Sequence, residues 1–357
     1  DISCLPTLQR EDIPPSVPII KENASEDALR ATLYKTATSG IVYFAAAAGT
    51  GLLPAALLPL APLFCSALSR MGTTKRDYAE MAQRIDAYTG GVRFSTHART
   101  RFDDIGDCVP FISFNGKCLL RNQEPMFDII QELLHHSDFS NLTRLKSILL
   151  EYRAGLEAMV IHSGHRLAIS LAARNLSATR MLSETWSGVH QLQTIKRLTD
   201  DITEQDLLAL SGDLTAIGKA LITQKNFQMA LIGEASALTG ARSCAQSLFD
   251  GFKPGKDDGF KAPDINLDDG AVREGWSTSS AVSFVALAFE TVRMAHADAP
   301  ALSVISKILR SMYLHREIRE KGGAYGGFAL YSPEDGLFSF ASYRDPHIAV
   351  SYTHLRA

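Results

Sequence analysis

The stretch REKGGAYGGFALYSPEDGLFSFASYRDP, from Arg319 to Pro346, limits the fold more than any other part of this chain. Ahead of it, Leu302, Ile305, Ile308, Leu309 and Met312 recur at helical spacing, which predicts a helix. Asp298 and the proline two residues on supply an N-cap oxygen and a first-turn residue. Gly322-Gly323 supplies the stop, with Arg316, Arg319 and Lys321 at the negative end of the helix dipole. Two aromatic-rich runs follow, Ala324–Ser332 and Leu337–Arg344, separated by Pro-Glu-Asp-Gly. That pattern predicts a β-hairpin. The unit therefore brings Arg319 from a helix end to Tyr325 on the adjoining strand, beside glycines (Gly323, Gly326) that allow close approach of another chain.

The remaining sequence reads as α+β in two units. Residues 1–20 are proline-rich and form an extended lead-in. A first α+β domain is expected over residues 21–250. Leu33–Phe44 reads there as a strand pair around Thr38-Ser39-Gly40, Pro59–Leu68 as a buried helix, and Asp77–Tyr88 as a helix ended by Gly90-Gly91. Val92–Ser95 and Pro110–Phe114 read as strands, the second closed by an Asn115-Gly116 turn. Helices are expected from Pro125 to Leu134, Leu142 to Met159, Glu204 to Ile217 and Ser236 to Phe249, with a strand over Phe227–Ile232. Residues 251–275 lose apolar periodicity and read as a linker. A second α+β unit, residues 276–357, opens with a strand over Ala281–Phe289. Gly-Gly followed by a strand occurs after helices in both units, which two related domains would explain.

Composition excludes several functions. A net charge of −3 and no long basic cluster argue against nucleic acid as a partner. Five cysteines (Cys4, Cys65, Cys108, Cys118, Cys244) without CxxC spacing read as reduced thiols of a cytosol-like compartment. Ile41–Leu68 carries no charge and imitates a membrane span, but its glycines and prolines would break a spanning helix, so no membrane association is expected. His162 with His165, and the neighbours His135 and His136, lack a third ligand at metal-binding spacing. Asp264–Gly270 misplaces the glycine of a calcium loop and reads as solvated linker.

From spacing alone, Arg319 could simply neutralise a helix end while Tyr325 packs in a sheet. The functional reading is a guanidinium and a phenol poised over a peptide, one for a carboxylate or carbonyl and the other for an oxyanion. REKGGAYGG, FSFASYRDP and the upstream pieces LPTL, GIVYFAAAA, LPLAPLFCSAL, AYTGG and HSGHRLA favour the second. Together they resemble the presequence protease branch of the pitrilysin/insulinase zinc metallopeptidase family, specifically its C-terminal, non-zinc half. The resemblance runs from Leu5 to Pro346 and implies two homologous domains of mixed sheet packed with helices. These would be the third and fourth domains of a peptidase whose halves close around unstructured peptides. It implies a substrate-binding Arg319, a transition-state hydrogen bond from Tyr325, and zinc held on His-x-x-Glu-His by an N-terminal half. None of the ten histidines here begins such a motif, so zinc and its half, the main partner, are expected outside this chain. The fourth domain is expected to be incomplete, because His347–Ala357 does not continue the pattern. The compartment implied is bacterial cytoplasm or an organelle matrix. The alternative is a separate non-catalytic subunit completing a zinc-bearing chain, or a structural relative with no peptidase role.

Overall fold

Period-2 burial decides the architecture of the first unit. In the computed structural model, residues 6, 7, 9–17, 19–102, 107–257, 259–265, 267 and 273–356 are described. Three strands, β1 (Ala24–Glu26), β2 (Ala31–Lys35) and β3 (Ile41–Gly49), precede two helices, α1 (Ala61–Leu68) and α2 (Tyr78–Tyr88). Then come β4 (Val92–Thr100), β5 (Cys108–Leu119) and α3 (Gln123–His136). Four helices follow: α4 (Leu142–Ala173), α5 (Ala178–Ser187), α6 (Val189–Thr199) and α7 (Glu204–Leu221). The unit ends with β6 (Phe227–Gly233) and α8 (Ala235–Asp250). The sheet is six-stranded in the order β1-β2-β6-β3-β5-β4. It is mixed, because β2 and β6 run parallel while the other neighbours are antiparallel. Along β5 the residues Cys108, Pro110, Ile112, Phe114, Gly116 and Cys118 all point to the buried face. The opposite face, with Tyr43, Ala45, Ala47, Phe111, Ser113, Asn115 and Lys117, stays half-buried or exposed, as an antiparallel sheet with one solvated side allows.

Two sequence expectations fail here for the same reason, non-local pairing. Leu33 and Phe44 belong to strands, but β2 and β3 do not pair, because β6 lies between them. Ser39 (φ 53°) and Gly40 (φ 75°) do turn the chain, but they turn it out of one strand position and into another two places away. Asn115-Gly116 forms no turn and sits inside β5, paired with both β3 and β4. Gly116 serves packing instead: a Cβ there would lie 3.0 Å from Ile130 Cδ1 and 3.3 Å from Met126 Sδ on α3.

Cap chemistry places α2 where the sequence puts it. Asp77 accepts from the amides of Ala79 and Glu80, and Glu80 reaches back to the Asp77 amide. α4 is longer than expected and kinks at Ser163 (φ −135°, ψ 25°). Among the described residues no helix is long and apolar enough to cross a membrane. Ile41–Leu68 is divided between β3, a connecting loop and α1, of which every residue but Ser66 is buried. Parts of the segment after α8 lie against the first unit: Gly259 accepts from the Gly51 amide at 2.7 Å, and Ala262 and Ile265 pack on its core. Asn266, Asp268, Asp269 and Gly270 of the calcium-like stretch lie outside the described residues, as do Cys4, Leu5 and Leu8.

The second sheet has the order β7-β9-β8, from β7 (Ala286–Glu290), β8 (Gly326–Ser332) and β9 (Leu337–Tyr343), all antiparallel. Between β7 and β8 runs α9 (Ala299–Ile308), continued by a wider, i→i+5 bonded stretch over Leu309–Lys321, and α10 (Ile348–Arg356) follows β9. Asp298 makes no side-chain cap bond, contrary to expectation. Its backbone is already helical (φ −84°, ψ −8°), which denies the carboxylate the geometry of a cap. Leu314, Ile318, Ala324, Ala329, Phe338 and Leu355 are the buried core of this unit. Ile305, Ile308 and Met312 of the predicted stripe remain exposed. The strand order β3-β5-β4 of the first unit is repeated in β7-β9-β8. In each case helix precedes a glycine of positive φ, Gly91 (112°) or Gly323 (78°), and then a strand with its antiparallel return.

Candidate functional site

The wide helical stretch ends in a run of charges that sort themselves. Glu317 accepts from Arg316 Nε at 2.8 Å and from Lys321 Nζ at 2.9 Å. The hydrogen bonds from Lys321 and then Arg316 hold its carboxyl below the usual glutamate range. Arg319 is left out of this set and has no carboxylate partner among the described residues. The chain then turns sharply. A Cβ on Gly322 would lie 2.7 Å from the Ile318 carbonyl, and Gly323 takes φ 78°. Both positions require glycine. The Ala324 amide closes the end by donating to Ile318 O at 3.1 Å.

This turn places Tyr325 directly under the helix end. The Arg319 guanidinium carbon lies 5.3 Å from the centre of the Tyr325 ring, within cation–π range. The Tyr325 amide is held by the carbonyls of Tyr343 (3.0 Å) and Arg344 (3.3 Å). Its side chain is 62% exposed and its hydroxyl has no hydrogen-bond partner among the described residues. The structure thus brings Arg319 and Tyr325 together. Gly323 lies exposed beside them; Gly326 is half-buried, where a Cβ would meet only Phe328, at 3.7 Å. Gly327 is the sterically required glycine of the strand, since a Cβ there would come within 3.0 Å of Leu314 Cβ.

Sequence reasoning about side-chain roles misses what supports Tyr325. Tyr343 meets it edge-on, with ring centres 5.8 Å apart, and its hydroxyl donates to the His162 carbonyl at 3.3 Å. That carbonyl is adjacent to the α4 kink. His165 stacks on Phe328 (4.9 Å) and meets the edge of Tyr343 (4.8 Å), while Gly164 lets the Phe284 ring approach closely. The HSGHRLA stretch is therefore a joint between the two units. Burial, and then Arg166, hold the His165 imidazole below its ordinary pKa. A cluster of aromatic residues at 325, 328 and 343 could have signalled this joint. The Ser163-Gly164 pair is the signal for the kink.

The described residues do not fit a metal. No group of three or more His, Cys, Asp or Glu side chains able to hold an ion exists among the described residues. His165 is enclosed by aromatic rings, and His135 Nε2 is 3.3 Å from the Leu248 carbonyl. Cys65, Cys108 and Cys118 are buried, and burial pushes their thiols up, Cys118 to about 11, so none is a ready thiolate.

A family model for the region associated with M16 peptidases of subfamily C matches residues 1–198, and one described as "PreP C-terminal domain" matches residues 277–355. The second match passes Pro346, where the sequence resemblance is expected to stop, and it includes Leu355 of the second core. The mitochondrial presequence protease of Yarrowia lipolytica is 30% identical over 98% of this chain and 35% of its own length. That of Emericella nidulans is 33% identical over 98% and 34%, respectively. The chain thus spans about a third of the curated relatives it matches. Among solved structures, an inactive M16 peptidase domain from Pseudomonas fluorescens aligns with TM-score 0.60 at 16% identity, covering 95% of this chain and 77% of that one. A protease from Helicobacter pylori aligns with TM-score 0.60 at 14% identity, covering 96% and 79%. These two likenesses concern the fold.

Proposed function

This chain belongs to subfamily C of the M16 peptidases, and from that premise we propose that it is the non-zinc half of a presequence-protease-like endopeptidase acting on short, unstructured peptides. The observation that carries this reading is the Arg319–Tyr325 pair. Among the described residues, a guanidinium without a carboxylate partner sits over an exposed phenol whose hydroxyl is unengaged. In this reading Arg319 anchors a peptide through a carboxylate or carbonyl oxygen. Tyr325 donates a hydrogen bond to the oxygen that gains charge at the scissile carbonyl, an effect usually worth about 3–4 kcal/mol. Zinc is implied for the full enzyme by the family, and this reading places its ligands in the other half; the described donors here do not fit it. The repeated strand order of the two sheets supports reading them as two copies of one domain plan, the third and fourth of the complete enzyme. The names of the relatives support a mitochondrial setting.

The chain alone is expected to cleave nothing, and a zinc-bearing partner half, fused or added, is expected to restore cleavage. Chelator-sensitive peptidase activity from the isolated chain would refute the assignment. In the reassembled enzyme, Tyr325→Phe is expected to lower kcat about 100-fold or more with little change in KM. A change confined to KM would make Tyr325 a ground-state binder instead.

A further inference from the structure

Arg344 is an exposed arginine with φ 50°, left-handed backbone that L residues other than Asn and Asp seldom adopt. Glycine would occupy this position without steric cost, yet the chain places its longest cation there. The conformation is imposed from both sides. Asp345 is buried, accepts from Ser342 Oγ at 2.9 Å and from the His347 amide at 2.8 Å, and pairs through its backbone with Ser283. On the other side, the Arg344 carbonyl accepts from the Tyr325 amide. The result is a side chain projected back toward the site: the Arg344 guanidinium carbon lies 5.5 Å from the Tyr343 ring centre, and that ring meets Tyr325 edge-on. Two arginine–tyrosine pairs, Arg319 on Tyr325 and Arg344 on Tyr343, therefore stand side by side. Neither guanidinium has a carboxylate partner among the described residues. The two buried acids of this region are engaged elsewhere: Glu317 is bonded to Arg316 and Lys321, and Asp345 to Ser342 and the His347 amide.

We infer that Arg344 is a second cation of the peptide site, and that with Arg319 it selects peptides carrying a carboxylate close to the bound segment. The inference rests on the peptide-binding reading given above and adds a preference to it. Two guanidinia held on aromatic faces keep their N–H edges free, the geometry that carboxylates accept in bidentate fashion. The carboxylate can be the C-terminus of the peptide or an aspartate or glutamate side chain.

The test uses the full chain and a dye-labelled, unstructured peptide with a free C-terminus and one internal aspartate, read by fluorescence anisotropy. Two matched peptides carry either a C-terminal amide or an asparagine in place of the aspartate. Arg344→Gly is the informative variant, because glycine accepts φ 50° and removes only the side chain; its melting temperature is expected to hold or rise. It should weaken binding of the acidic peptide about tenfold, equivalent to about 1.4 kcal/mol, and leave the correctly neutralised peptide unchanged. Loss on amidation identifies the C-terminal carboxylate as the ligand, and loss on Asp→Asn identifies the side chain. If the unaltered chain binds all three peptides equally, or Arg344→Gly binds the acidic peptide as tightly as the unaltered chain, the inference falls and the peptide-binding reading stands. If the unaltered chain binds no peptide, that underlying reading fails with it.

Discussion

The tip of the second hairpin is clasped by the first unit, and severing that clasp should destabilise the molecule measurably. Asp335, whose side chain is 7% exposed, pairs with Arg180 Nη2 of α5 at 2.5 Å. Its carboxylate also accepts from Ser332 Oγ at 3.1 Å and is hydrogen-bonded to Thr100 at the end of β4. Arg180 in turn donates to Ser332 at 3.0 Å, and Thr100 is bonded to Thr179 at 2.8 Å. Removing one partner of a buried ion pair typically costs about 3–5 kcal/mol. Arg180 retains 29% exposure, so water recovers part of that loss, and Asp335→Ala is expected to cost about 2–3 kcal/mol. Urea unfolding followed by Trp186, a buried tryptophan of α5 that donates to Leu58 O, reports on the first unit. Comparing Asp335→Ala, Arg180→Ala and the double variant isolates the pair, with an expected coupling of at least about 1 kcal/mol. Strictly additive single effects, within about 0.5 kcal/mol, would refute the claim that this carboxylate ties the units together. The clasp also bears on the site, since it fixes one end of the hairpin whose other end begins beside Tyr325.

Further outcomes concern the helix α4 and the partly buried histidines. Gly164→Ala forces a Cβ into the Phe284 ring and should cost about 1–3 kcal/mol. Gly155→Ala on the same helix meets nothing within 4 Å and should stabilise by up to about 1 kcal/mol; thermal melts of the two variants check both signs. Burial depresses the imidazoles of His97, His135 and His165. The unfolded chain therefore binds more protons just below the ordinary histidine pKa of about 6.5. Stability should be full above that pH and fall as the medium is acidified through the folded-state values, which urea titrations at about pH 7.5 and about pH 5.5 would measure. His165→Phe keeps the ring stacked on Phe328 and should remove part of that slope; an unchanged slope would assign it elsewhere.

Local signals in the sequence determined the local structure. Asp77 with Glu80 starts α2, Gly322-Gly323 ends the long helix, and Pro-Glu-Asp-Gly separates the strands of the second hairpin. The encounter of Arg319 with Tyr325 was legible for the same reason: six residues of chain and two glycines leave the helix end and the strand start close together. What the sequence alone left undecided was every pairing between distant segments. β6 enters between β2 and β3 from nearly two hundred residues away, and no dipeptide announces it. Asn115-Gly116 is a turn signal by local propensity, but twelve residues of alternating burial against α3 outweigh it. The left-handed arginine at 344 and the Asp335 clasp belong to this second class. Each is a local cost or a polar burial that only contacts from segments distant in the sequence make favourable, and so only the tertiary structure could decide it.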